Sequence, residues 1–247
     1  MKNDLFSIGP FTVHGYGLMI AIGVLSAYYM VEYRAKKKQM DWEKVFPLTV
    51  WSVLGGFLGS KILYLLTRLP DILANPALLG SSIKDGFVVY GGIIGGILTA
   101  WIYCKCTKWN FWKIFDIAMP AVAMAQGFGR IGCLLAGCCY GIELDPANPI
   151  GIVFHNSAYA PNDVALLPTQ IISSVLDFAN CFVLLALSKK LKTDGQVASC
   201  YLIFYSIGRF VLEYFRGDLI RGNVGEFSTS QFISLFICLI GLVLLFG

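Results

Sequence analysis

Residues 231–247 read QFISLFICLIGLVLLFG, seventeen residues without one charged side chain. A membrane-crossing helix needs about 20 predominantly apolar residues, within a range of roughly 17–25. This run meets that length and has no soluble explanation. Working outward from it, six further runs of the same kind occur at 13–33, 46–67, 86–107, 111–140, 168–188 and 197–215. Their apolar residues are continuous rather than alternating, so the pattern predicts helices and not barrel strands. The expected fold is an all-α integral membrane protein of about seven transmembrane helices, forming a single polytopic domain over 1–247.

Composition agrees. Hydrophobic residues make up 57% of the 247-residue chain and charged residues only 14%. Soluble domains carry about 25% charged residues, so lipid must be part of this chain's solvent. The first run is too long for a signal-peptide core and has no A-x-A-like cleavage site, so it is expected to be retained. The fourth run is over-long. Pro120 and the glycines at 127, 129, 132, 137 and 141 predict a bend or an irregular end. The formal net charge of +4 belongs to loops and gives no argument for nucleic acid.

Loop charge predicts orientation. The segments 34–44, 105–113 and 189–196 together hold eleven Lys or Arg. The alternate loops hold five, namely Lys2, Arg68, Lys84, Arg216 and Arg221, and the long 141–167 loop has none. Cytoplasmic loops are the positive ones. The N-terminus is therefore expected outside and the C-terminus in the cytoplasm.

Charges inside a bilayer are costly and point to function. Lys61, Arg130 and Arg209 remain after the loops are counted, with Glu213 one turn beyond Arg209. In the predicted orientation Lys61 and Tyr64 lie near the outer end of their helix. Gln126 and Arg130 share one face of the fourth helix. Tyr205, Arg209, Glu213 and Arg216 form one stripe on the sixth. His14, Tyr16, Tyr90, Thr169, Gln170 and Ser173 come early in the inward-running helices. Six helices thus present polar groups at one depth, opening toward the outer leaflet. Any one pair could simply join two helices, and the tyrosines could be interfacial anchors. Two arginines and a lysine at one level instead call for an anion, and the planar fork of arginine suits phosphate. A phospholipid headgroup is the anion available at that depth.

The glycines of Gly91-Gly92-Ile93-Ile94-Gly95-Gly96, and Gly55 with Gly59, predict close helix packing, with backbone approach to a headgroup as the other reading. Of the eight cysteines, Cys104, Cys106, Cys181, Cys200 and Cys238 read as small apolar residues. Cys133, Cys138 and Cys139 crowd around Arg130. Their C-x4-C-C spacing is a poor zinc signature, and neither His14 nor His155 is an obvious fourth ligand. No metal and no cofactor is therefore expected. Packing thiols, a disulfide and a reactive thiol activated by Arg130 all stay open.

Several of these stretches resemble one family in order. Phe6-Ser7-Ile8-Gly9-Pro10 with Tyr16-Gly17-Leu18-Met19, then Gly91-Gly92-Ile93-Ile94-Gly95, then Gly129-Arg130-Ile131-Gly132 with Gly141 are similar to motifs of the prolipoprotein diacylglyceryl transferases. So are Pro168-Thr169-Gln170, and Tyr205, Arg209-Phe210, Glu213, Arg216 and Asp218. The resemblance covers nearly the full length. It implies transfer of the diacylglyceryl group of phosphatidylglycerol to the lipobox cysteine of an exported preprotein, with glycerol phosphate released, in the inner membrane of a bacterium. It also implies that Arg130 and Arg209 hold the phosphate, that Glu213 orients Arg209 and that Tyr16 meets the headgroup. The chain departs from the family where Tyr90 replaces a histidine, Cys133 and Ala136 replace asparagines, Cys138 replaces a glutamate and Leu167 replaces a histidine.

The expected chemical groups are therefore Arg130, Arg209, Tyr90, Glu213, Cys133 and Cys138. The expected substrate-binding set is His14, Tyr16, Lys61, Gly91, Gly92, Gln126, Gln170, Tyr205 and Arg216. The expected partners are phosphatidylglycerol, a lipobox preprotein and membrane lipid. A paralogue with another acceptor and a non-catalytic lipid-binding protein are the alternatives. Transporters usually carry midplane charges and broken helices in paired halves, and this pattern is absent from the sequence.

Overall fold

A computed structural model describes residues 4–8, 11–84, 86–218 and 223–246. Lys2, Gly9, Pro10 and Arg221 lie outside the described residues. In chain order the elements are β1 (Asp4–Ile8), β2 (Phe11–His14), α1 (Gly15–Lys37), α2 (Val45–Thr67), α3 (Leu69–Ala74), α4 (Leu78–Lys84), α5 (Val89–Thr107) and α6 (Phe111–Ala136). They continue with β3 (Ile152–Val153), β4 (Ala165–Leu166), α7 (Thr169–Leu187), α8 (Gln196–Glu213), β5 (Asn223–Val224), β6 (Phe227–Ser228) and α9 (Thr229–Phe246). Each of the seven apolar runs forms a helix. Among the described residues, six helices are long and apolar enough to cross a membrane. The exception is α8, whose Gln196, Arg209 and Glu213 lower its hydropathy. The described strands pair as three antiparallel two-stranded ladders, β1 with β2, β3 with β4 and β5 with β6. Those ladders, α3 and α4 are short elements that hydropathy does not register.

The helices keep their apolar side chains largely uncovered: Phe182 is 69% exposed and Val243 62%. A soluble protein would bury such residues, whereas a bilayer solvates them. The protein is thus an all-α, multi-pass membrane protein.

The chain forms two compact units, residues 1–31 with 115–247, and residues 32–114. In the first unit α6, α7 and α8 share a core of Met119, Ala123, Cys181, Leu184, Val197 and Tyr201. The buried positions of α7 are Thr169, Gln170, Ser174, Asp177, Cys181 and Leu184. They recur every three or four residues and so form one helical face. That face is polar at its start and apolar at its end. Ser174 donates a hydrogen bond to the Gly127 carbonyl at 2.9 Å, and the Phe178 ring closes on Gly127. The start of α8 is capped from α6. The buried carboxylate of Asp116 accepts the Gly195 and Ala198 amides, each at 2.8 Å. This satisfies amides that the first helical turn leaves unpaired, at the positive end of the helix dipole.

The over-long fourth run ends as a helix at Ala136 rather than near 140. Gly137 at φ +75° and Cys139 at φ +60° turn the chain back. The 141–167 segment then folds over a small core of Phe154, Ala160 and Leu166.

In the second unit α2 and α5 pack along their glycines. A Cβ on Gly56 would sit 3.2 Å from the Gly92 carbonyl oxygen, and one on Gly59 or Gly91 would overlap the facing backbone. The small-xxx-small pattern therefore serves helix contact, as the packing reading expected.

Candidate functional site

Three helices of the first unit each bring a polar residue to one cavity of about 320 Å³. Arg130 reaches it from α6, Ser173 and Asp177 from α7, and Tyr205 and Arg209 from α8. Arg130 and Tyr205 were expected together, and so were the two arginines. Asp177 was not expected, because counting only cations passes over it. Its signal was present in sequence: an ionisable residue inside an apolar helix, seven residues after Gln170 and thus on the same face.

The two arginines are held differently. Arg130 Nε lies 3.9 Å from Asp177 Oδ2, beyond hydrogen-bond range. Among the described residues no side chain hydrogen-bonds to Arg130. Arg209 is tied at two points: Nη2 lies 2.7 Å from Glu213 Oε2 and donates to Ser230 Oγ at 2.8 Å. Glu213 also accepts from Ser228 Oγ at 3.0 Å. The expected orienting role of Glu213 toward Arg209 thus has a short contact behind it.

Arg216 lies beyond the end of α8, not on its stripe. Its backbone bridges to Gly141, and its guanidinium grips Asp218 in a fork, Nε to Oδ1 at 2.8 Å and Nη2 to Oδ2 at 2.6 Å. Glu213 Oε2 is 3.9 Å from the same guanidinium. Arg130, Arg209 and Arg216 therefore meet Asp177, Glu213 and Asp218. Among the described residues of this site the three guanidiniums are matched by three carboxylates, so the excess of cation read from sequence is not found there. What distinguishes Arg130 is the unfilled hydrogen-bonding capacity of its fork.

Beside this constellation the turn after α6 gathers thiols. The Sγ atoms of Cys133, Cys138 and Cys139 lie within 4.8 Å of one another. The spacing that looked poor for a metal is folded tight by the turn at Gly137. Gln170 donates from Nε2 to the Cys138 carbonyl at 2.9 Å, and Thr169 from Oγ1 to the Cys139 carbonyl at 2.8 Å. Hydrogen bonds from Cys133 and Cys138, and then the Arg216 guanidinium, pull the Cys139 thiol far below its ordinary value. The bonds to Cys133 and Cys139, together with burial, push the Cys138 thiol up.

The remaining expected residues divide. Tyr16 of α1 packs its ring on Gly132. Gln126 accepts a hydrogen bond from the Tyr201 hydroxyl at 3.0 Å, so it braces α6 to α8. Among the described residues, the Oε1 of Gln170, a residue only 1% exposed, has no hydrogen-bond partner. His14 is not brought to the cavity. It sits on the exposed hairpin with Nδ1 2.6 Å from Asp4 Oδ1. Lys61, Tyr90, Gly91 and Gly92 belong to the second unit. There Lys61 donates to the Ser82 and Gly86 carbonyls, each at 3.1 Å, with its ammonium 4.6 Å from the Phe87 ring centroid. Tyr90 is 39% exposed on the first turn of α5. Gly91 and Gly92 form part of the α2–α5 seam.

Taken together, the fold and cavity define a polytopic membrane protein with a half-buried guanidinium lining a cavity among three helices. Comparison with known proteins narrows this. A family profile for prolipoprotein diacylglyceryl transferases matches residues 3–247, and the chain belongs to that family. It is 46% identical to the phosphatidylglycerol–prolipoprotein diacylglyceryl transferase of Clostridium tetani over 98% of its own length and 96% of the relative's. It is also 46% identical to transferase 2 of the same description from Clostridium perfringens, covering 100% and 95% of the two chains. A Staphylococcus carnosus relative of the same description is 30% identical over 97% of this chain and 88% of its own.

Proposed function

We propose that this protein transfers the diacylglyceryl group of phosphatidylglycerol to the lipobox cysteine thiol of exported prolipoproteins, releasing glycerol phosphate. The carrying observation is Arg130, a guanidinium without a side-chain hydrogen bond among the described residues, on a cavity shared with Arg209 and Tyr205. In this reading the lipid phosphate docks against the Arg130 fork, which suits two oxygens at once. Arg209, steadied by Glu213 and Ser230, supplies the second charge. The acceptor sulfur attacks the glyceryl carbon that bears the phosphate. As the carbon–oxygen bond breaks, negative charge grows on the leaving phosphate, where fixed cations act most strongly. Tyr16 and Gln170 complete the headgroup contacts. Tyr90 stays in the reading as a hydroxyl whose chemical role Tyr90→Phe tests.

The eleven-to-five loop bias supports seven spans, an outside N-terminus and a site open to the outer leaflet of a bacterial inner membrane. The whole chain is read as one polytopic domain. The test is an assay of the purified chain with labelled phosphatidylglycerol and a lipobox peptide. Label is expected on the cysteine peptide and not on its serine counterpart. Headgroup release that ignores the peptide would point to another acceptor. Lipid binding without release would overturn the assignment.

A further inference from the structure

The Cys133, Cys138 and Cys139 cluster asks for an explanation that packing does not supply. Its turn is braced by the Gln170 and Thr169 side chains and by the Cys138 amide, which donates to the Cys133 carbonyl at 3.1 Å. The three sulfurs lie within 4.8 Å of one another and are only partly buried. Tetrahedral zinc with zinc–sulfur bonds of about 2.3 Å sets its sulfurs about 3.8 Å apart. Small side-chain rotations close that difference.

We propose that these three thiols hold one thiophilic divalent cation, zinc by its chemistry, and that its open fourth position binds the thiol of the acceptor cysteine. This inference rests on the thiol-acceptor reading above. Three protein ligands with one vacant position are the mark of a catalytic rather than a structural zinc site, and thiolates select this class of ion. Three thiolates around a divalent cation leave one net negative charge. The guanidinium of Arg216, hydrogen-bonded to Cys139, faces that charge.

The reaction needs such a group. A free cysteine ionises only near pH 8.5. The chain has two histidines, and both sit on exposed carboxylates, His14 on Asp4 and His155 on Asp163, each at 2.6 Å. A thiol that coordinates zinc loses its proton outright. In the step, the acceptor S–H gives its proton to water as the sulfur binds. A sulfur lone pair then forms the S–C bond to the glyceryl carbon. The C–O bond breaks with its electron pair staying on the phosphate oxygen. The product thioether carries no charge, is a weak ligand and departs.

The test uses the full chain, purified in detergent, reduced, stripped with chelator and titrated with cobalt(II) as a coloured zinc substitute. One cobalt per chain is expected, with sulfur-to-cobalt charge-transfer absorption and tetrahedral ligand-field bands. Replacing both Cys138→Ser and Cys139→Ser is expected to weaken binding by at least about ten-fold and bleach the charge-transfer band. Cys106→Ser, in the other unit, is expected to keep it. A lipobox cysteine peptide is expected to shift the ligand-field bands, and its serine counterpart to leave them unchanged. A reduced wild-type chain with no thiolate–cobalt band overturns the site. Wild-type turnover by the stripped chain overturns its part in the reaction while leaving the transferase reading intact. Thiolate–cobalt bands in a chain that transfers nothing to the cysteine peptide uphold the metal site and sink the acceptor reading instead.

Discussion

Arg130 and Arg209 line the same cavity, yet the regions around them are built on opposite terms. At the α8–α9 corner, Arg209 has Glu213 at 2.7 Å and Ser230 at 2.8 Å. At the α6–α7 cleft, Arg130 has Asp177 at 3.9 Å and, among the described residues, no side-chain hydrogen bond. A buried charge must be paired and hydrogen-bonded to be tolerated. The corner meets that requirement with its own residues. The cleft meets it only by long-range attraction, which leaves the donors of Arg130 for a ligand. The difference separates a guanidinium fixed by partners within the fold from one whose donors stay open on the cavity.

The largest expected effect tests that division directly. Arg130→Ala and Arg209→Ala should each reduce lipid turnover by two orders of magnitude or more, since one preorganised charge-stabilising group is worth about 3–4 kcal/mol. Their stabilities should diverge. Arg209→Ala strips the closest partner from Glu213 and should cost about 1–3 kcal/mol. Arg130→Ala removes no hydrogen bond and should leave the denaturation midpoint nearly unchanged. Equal losses of stability in the two variants would erase the comparison.

A smaller effect comes from the carboxylates. Asp177→Asn and Glu213→Gln should each lower turnover by about ten-fold, because a guanidinium released from its counter-charge drifts from its productive position. Only Glu213→Gln should also lower the denaturation midpoint, because only that carboxylate makes a short pair. The smallest effect concerns two serines. Ser230→Ala deletes the hydrogen bond to Arg209 and should cost about 1 kcal/mol with a few-fold loss of turnover. Ser173 bonds back to the Thr169 carbonyl of its own helix at 2.6 Å, so Ser173→Ala should change stability little. Denaturation midpoints and turnover of the four variants, measured side by side, decide both points.

The seven helices were legible because the length and composition of an apolar run are local properties. The polar faces of α6 and α8 were legible for a related reason: a helix advances and rotates by a fixed amount per residue, so spacing in sequence converts to position on a helix. The same logic identified Arg130, Tyr205 and Arg209 as companions on the cavity. It did not foresee that His14 sits on an exposed hairpin bonded to Asp4, away from the residues that line the cavity. It also put Arg216 on the α8 stripe, although the helix ends at Glu213.

By itself, then, the sequence determined that this is a membrane-embedded helical protein, which helices carry charge, and where the glycine seam of α2 and α5 runs. Tertiary structure alone decided which charges meet. Whether Asp177 faces Arg130 depends on the rotation of α7 against α6, set by the packing of Ser174 and Phe178 on Gly127. Whether three cysteines form a cluster depends on two residues of positive φ, Gly137 and Cys139. Hydrophobic periodicity records which residues avoid water, but it holds no information about the angle between two helices or the path of a turn. Those are fixed by contacts between residues far apart in the chain, and it is there that Arg130 receives a long ion pair and the thiols converge.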